Sequence, residues 1–258
     1  MGKLSLDAPQ GPNRIDHSSR RPVSPADAVV AALSYRETGD PFPDRQGPQP
    51  SLRIGLCSSL SSGFLRELIR RVRALPDAPA LYFMDGTPHD VLQAARRREI
   101  DVGFIYGPHY SLVRLQFEEL WREPLVALLP EQHPLARDCD VRPDALKGET
   151  FLATGGPADH YPQLALVQSV LGEPPESFDC LEVERETLVN FVGLGLGVAL
   201  MPRSGLGAFY PGVAYRPIVT PLERIGFQAV WRPGARNRNR ELGRFLDRAR
   251  ALAASWRG

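Results

Sequence analysis

The side chains best suited to holding a small polar molecule gather at three points. Ser58, Ser59, Ser61 and Ser62 form a run of hydroxyls just after the apolar residues Leu52, Ile54 and Leu56. Thr87 stands before Pro88, after the apolar stretch 80–84. Thr154 is followed by Gly155 and Gly156, after Phe151, Leu152 and Ala153. Hydroxyls and uncommitted backbone amides of this kind can hold a carboxylate or another polar ligand group. Each cluster also has an ordinary structural use. One serine suffices as a helix N-cap, Thr87-Pro88 reads as an N-cap and first helical position, and glycines pass a loop or let a backbone approach closely. Gly195, Gly197 and Val198 read first as a tight helix-to-strand passage.

Catalytic chemistry has little to work with. His89, His109, His133 and His160 fall in unrelated loops or helix starts, and no histidine, carboxylate and hydroxyl follow in a usable order. Near the three clusters the carboxylates are Asp85 and Asp159. Cys57, Cys139 and Cys180 include no CxxC pair, so neither a zinc site nor a disulfide framework is expected. The expectation is no catalytic set, no metal and no cofactor.

The elements that must position these clusters follow from periodicity. Residues 52–106 alternate strand, helix, strand, helix, strand, with Phe64, Leu65, Leu68, Ile69, Val72 and Leu75 on one helix face. That pattern means a parallel sheet with crossover helices. Ligands bind such sheets where strand C-termini meet helix N-termini, where Ser58 and Thr87 fall. Beyond it, helices are expected over 161–171, 186–194 and 239–256. Strands are expected over 125–129, 150–153, 178–183, 198–201, 213–218 and 225–231.

A chain of 258 residues, 43% hydrophobic and 24% charged, with net charge +1, is an ordinary globular composition. It gives no global reason to expect nucleic-acid binding. No apolar run is long enough for a membrane span, and the first residues lack the core of a secretory signal. A cytoplasmic protein is expected. Residues 1–50 hold 8 of the 25 prolines and read as a mostly extended or disordered segment. One short helix is expected within it, capped at Ser24 and continuing over 28–35, followed by a stiff linker over 40–50.

Three segments carry a resemblance to the effector-binding domain of LysR-type transcriptional regulators: DVGFIYGP (101–108), EPLVALLPEQHPLA (123–136) and LVNFVGLGLGVALMP (188–202). The resemblance spans about four-fifths of the chain. It implies an α/β, two-lobed, type 2 periplasmic-binding-protein-like fold, each lobe a mixed sheet flanked by helices. Lobe I is expected over 51–123 and 226–258 and lobe II over 124–225, with crossings near 123–130 and 221–226. It further implies a small, often anionic effector between the lobes. On this reading the contacts are Ser58, Ser59, Ser61, Thr87, Thr154, Gly155 and Gly156, with Gly197 and Val198 bordering the cleft. Subunits of the family pair antiparallel, which here sets helix 64–75 against helix 161–171. The sequence departs from the family before residue 51, where no winged helix-turn-helix is recognisable. The expected partners are therefore a small-molecule effector and either a second copy or a full-length LysR-type regulator, with no specific DNA binding by the chain itself and no membrane. A solute-binding protein and a dehydratase-type enzyme on the same fold are the alternatives.

Overall fold

The computed structural model describes residues 31–34, 50–60, 62–107, 114–207, 209–219 and 224–257. They form two lobes. The first is built on a six-stranded sheet in the order β1-β3-β2-β4-β11-β5. β1 is Ala31–Ser34, β2 Ser51–Leu56, β3 Ala80–Asp85, β4 Val102–Tyr106, β5 Gln116–Glu123 and β11 Ile225–Trp231. β1 to β4 run parallel, whereas β11 lies antiparallel between β4 and β5.

Helices cover both faces. α1 (Gly63–Arg73) and α6 (Arg240–Ser255) close one face. Phe64 and Leu68 of α1 and Leu242, Phe245 and Leu246 of α6 pack there with Phe104, Trp121 and Phe227. Stacking of Trp121 between Phe64 and Phe227, at centroid distances of 4.4 and 4.6 Å, locks the sheet to α1. α2 (Pro88–Arg97) covers the other face through Val91 and Leu92. It sits close because β2 and β4 present glycines beneath it. A Cβ on Gly103 would stand 2.3 Å from Val91, and one on Gly55 2.6 Å from Ile100.

At β1 the structure corrects the sequence reading. The short helix expected over 28–35 is, at Ala31–Ser34, a parallel strand whose residues pair with Tyr82 to Asp85. The edge of β3 offers a row of unpaired backbone groups, and satisfying them outweighs a weak local helix preference. The other residues of 1–49 lie outside the described residues.

The chain passes from the first sheet to the second at Pro124, between β5 and β6 (Leu125–Pro130). The return crossing falls between Ile218 and Ile225, with 220–223 outside the described residues. The second lobe contains an antiparallel sheet β10-β6-β9, with β9 at Ala199–Pro202 and β10 at Val213–Pro217. A parallel pair, β7 (Thr150–Thr154) and β8 (Ser177–Leu181), stands beside it. α3 (Pro157–Leu171) and α4 (Arg185–Gly193) pack on these strands. α3 begins a turn earlier than the periodicity suggests, because Pro157 suits the first helical position. α5 is the short Ala235–Arg238 before α6.

Candidate functional site

The cleft between the lobes is built from strand-to-helix corners. β2 delivers Cys57, Ser58 and Ser59; β4 ends at Tyr106; β7 ends at Thr154; α4 opens with Arg185. All six line one open cavity of about 540 Å³, its solvent mouth included. Gln163 and Ser204 add polar groups, and Leu128, Leu152, Leu188, Val189 and Met201 supply an apolar wall. A few convergent polar groups on an apolar concave surface are the usual makings of a small-molecule site.

Ser58 is the most pointed feature. It is 5% exposed, and its Oγ is buried without a hydrogen-bond partner. Leaving a buried hydroxyl unmatched costs about 1–3 kcal/mol, which a bound ligand atom could recover. Beside it, burial pushes the Cys57 thiol up to about 12, keeping it protonated and inert. Burial likewise pushes the Tyr106 hydroxyl up to about 12, and Gln163 of the second lobe hydrogen-bonds it.

Further contacts hold the lobes together. Arg185 Nη2 donates to the Cys57 carbonyl at 3.2 Å and lies 3.7 Å from Asp85 Oδ1. The two side chains of that ion pair are 34% and 63% exposed, so it contributes at most ~1 kcal/mol. The His89 amide donates to Asp159 Oδ1 at 3.2 Å, joining the starts of α2 and α3. Ser62 Oγ donates to the Ser204 carbonyl at 3.0 Å. At the first crossing, the buried Glu123 carboxylate accepts from Trp121 Nε1 at 2.8 Å and from the Ser204 amide at 2.9 Å.

Of the residues singled out by sequence, Ser58, Ser59 and Thr154 line the cavity. Ser61 lies outside the described residues. Thr87 does not line the cavity: its Oγ1 accepts from the Asp90 amide at 3.2 Å and faces Asp90 Oδ2 at 3.0 Å, completing a capping box. Gly155 and Gly156 follow Thr154 and make room for Asp159 and Glu182 respectively. Gly155 has φ 143, and a Cβ there would be 2.4 Å from the Asp159 Cβ. The Gly156 amide donates to Asp159 Oδ2 at 3.3 Å. Gly197 and Val198 sit behind the apolar wall. Val198 accepts from the Leu152 amide and donates to the Thr150 carbonyl, both at 2.8 Å, knitting this turn to β7. A Cβ on Gly197 would meet that same carbonyl at 2.5 Å.

The sequence reading missed Arg185, Tyr106 and Gln163. The position of Arg185, between a strand and a helix, was legible, but its contact across the lobes was not. Gln163 and Tyr106 offered no local signal. Among the described residues no group of acidic, histidine or cysteine side chains could hold a metal, and no helix is long and apolar enough to cross a membrane.

Comparison with known proteins places the chain. The family profile described as LysR substrate binding domain matches residues 45–254. The Hca operon transcriptional activator HcaR of Escherichia coli is 34% identical over 142 residues, covering 54% of this chain and 47% of that protein. The HTH-type transcriptional regulator XapR of the same species is 25% identical over 177 residues, 67% of this chain and 58% of that protein. The chain thus spans about half the length of these relatives. Among solved structures, the reduced OxyR regulatory domain from Pseudomonas aeruginosa superposes with a TM-score of 0.60 at 23% identity, covering 79% of this chain and 98% of that one. The BenM effector-binding domain with its effector benzoate gives 0.64 at 20% identity, covering 80% and 93%. Likeness at this identity speaks for the fold.

Proposed function

Since the chain belongs to the LysR substrate-binding-domain family, and is thereby a ligand-sensing regulatory module, we propose that a small-molecule effector binds in the cleft lined by Ser58, Ser59, Thr154 and Arg185. The observation that carries this reading is the buried, unpartnered Ser58 hydroxyl on a cavity with one polar and one apolar side. Cleft closure, with lobe I over 51–123 and 226–258 moving against lobe II over 124–225, would be the response. A ligand that contacts both lobes shifts such an equilibrium by its difference in affinity for the open and closed forms. Thr87, Gly155, Gly156, Gly197 and Val198 act at one remove, by shaping the corners that present the contacts.

The reading is one of binding rather than catalysis. Among the described residues lining the cavity there is no Asp or Glu, and the carboxylates of Asp159 and Asp90 are engaged by backbone amides. A dehydratase-type reaction needs a placed general acid. On this reading the chain works in the cytoplasm and pairs with a second copy or a full-length LysR-type regulator through α1 and α3. Tyr161 on α3 is 78% exposed, which suits a helix that meets a partner.

The test is a thermal-shift screen of small metabolites against the wild-type chain and Ser58→Ala. Binding stabilises the native state by RT ln(1 + [L]/Kd). A compound that raises the melting temperature of the wild type and does so less for Ser58→Ala supports the reading. Equal shifts in both would move the site away from this corner.

A further inference from the structure

Three observations bear on the charge of the ligand. Among the described residues lining the cleft, Arg185 is the one with an ionised side chain; the others are apolar or neutral polar. Ser58 Oγ, which lines the same cavity, is buried and has no partner. Finally, Arg185 opens α4, where Glu186 in the first turn already answers part of the helix dipole, so the guanidinium rather than the helix start is the anion-binding group. Cation, hydroxyl and helix start lie together, because Arg185 donates to the carbonyl of Cys57, the residue next to Ser58.

The guanidinium is held loosely. It carries five N–H donors. One bond goes to the Cys57 carbonyl, while Asp85 stands at 3.7 Å, beyond hydrogen-bond reach, with its own side chain largely exposed. A carboxylate arriving inside the cleft would meet the same cation in a drier setting and could take two donors at once, which favours it over Asp85. The apolar part of the lining, Leu128, Leu152, Leu188, Val189 and Met201, has nothing to offer a second charge.

Resting on the reading that the cleft is the effector site, we propose that the effector is an organic monocarboxylate with an apolar body, and that Arg185 exchanges partners on binding. Its guanidinium leaves Asp85 for the ligand carboxylate, which also accepts a hydrogen bond from Ser58 Oγ. The apolar body lies against the second-lobe wall. Asp85 is thus a built-in competitor that sets the affinity threshold. A phosphate ester fits less well, since its second negative charge would find no further cation in the lining.

The test is calorimetric titration of the purified chain at neutral pH with matched carboxylates and primary amides: hexanoate and hexanamide, decanoate and decanamide, phenylacetate and phenylacetamide. In at least one pair the carboxylate should bind about tenfold or more tightly than its amide. Arg185→Gln should erase that difference, and Asp85→Asn should strengthen carboxylate binding by about two- to fivefold. Melting curves establish that each variant is folded. Ala153→Phe, which fills the cleft from β7, separates the two levels of the argument. If it abolishes binding while Arg185→Gln keeps the carboxylate preference, the cleft stands and the exchange is wrong. If binding survives Ala153→Phe unchanged, the cleft reading fails and takes the exchange with it. A panel in which no carboxylate binds, or in which amides bind equally well, overturns the proposal.

Discussion

Arg185 and Cys57 are joined across the two lobes by a single hydrogen bond, from the guanidinium Nη2 to the main-chain carbonyl, 3.2 Å long. The bond ties the first residue of a second-lobe helix to the end of a first-lobe strand. It does not depend on the Cys57 side chain, so replacing the thiol leaves it in place, whereas replacing the arginine removes it.

Ser58→Ala should separate stability from binding. The substitution deletes a buried hydroxyl that has no partner in the unliganded chain, so the melting temperature should stay level or rise, by up to ~1 kcal/mol of stability. Effector affinity should fall by about 1–3 kcal/mol, the worth of a buried hydrogen bond left unmade. Denaturant unfolding and calorimetry measure the two effects. A destabilised variant with unchanged affinity contradicts the assignment.

Thr87→Ala should do the opposite. Its hydroxyl and amide complete the capping box with Asp90, so the loss falls on α2. The expected cost is ~1 kcal/mol of stability, seen as a drop of about 2–4 °C in Tm. Affinity at matched temperature should change little. A large affinity loss would return Thr87 to the direct contacts that the sequence reading expected.

What could be read from the sequence, and what could not, follows the range of the interaction. The Ser58 and Thr154 corners were legible because strand-to-helix passages announce themselves within a few residues. The capping role of Thr87 was also legible, three residues ahead of Asp90, and it competes with a ligand role. The Arg185 contact spans 128 residues and exists only once two lobes face each other, so no local pattern encodes it. The same holds for β1. Its four residues carry a modest helix signal, and their strand conformation comes from a vacant edge of β3.

Glu123→Gln should weaken the first crossing. The Glu123 carboxylate serves two donors, Trp121 Nε1 and the Ser204 amide, while 5% exposed. The amide side chain offers one acceptor oxygen and turns an N–H₂ toward the other donor. The expected loss is about 1–3 kcal/mol, read by denaturant unfolding, with a change in Trp121 fluorescence. A variant as stable as the wild type would mean that this carboxylate is dispensable at the crossing.

The cysteines should differ sharply in reactivity. Cys139 is exposed, whereas Cys57 is buried and its thiol is pushed up to about 12. The thiolate is the reactive form, so at pH 8 iodoacetamide should label native Cys139 and leave Cys57 untouched. Both should react in denaturant. Peptide mass mapping reads the result, and prompt labelling of native Cys57 would contradict a buried, protonated thiol in the cleft.

Hydrogen exchange with and without an effector tests the central claim most directly, because it locates binding without a mutation. Using a carboxylate that raises the melting temperature, protection should increase in peptides covering residues 57–59, 153–156 and 185–189, on both lobes together. Protection confined to one lobe, or to the α1 and α6 surface with these three segments unchanged, would contradict the account.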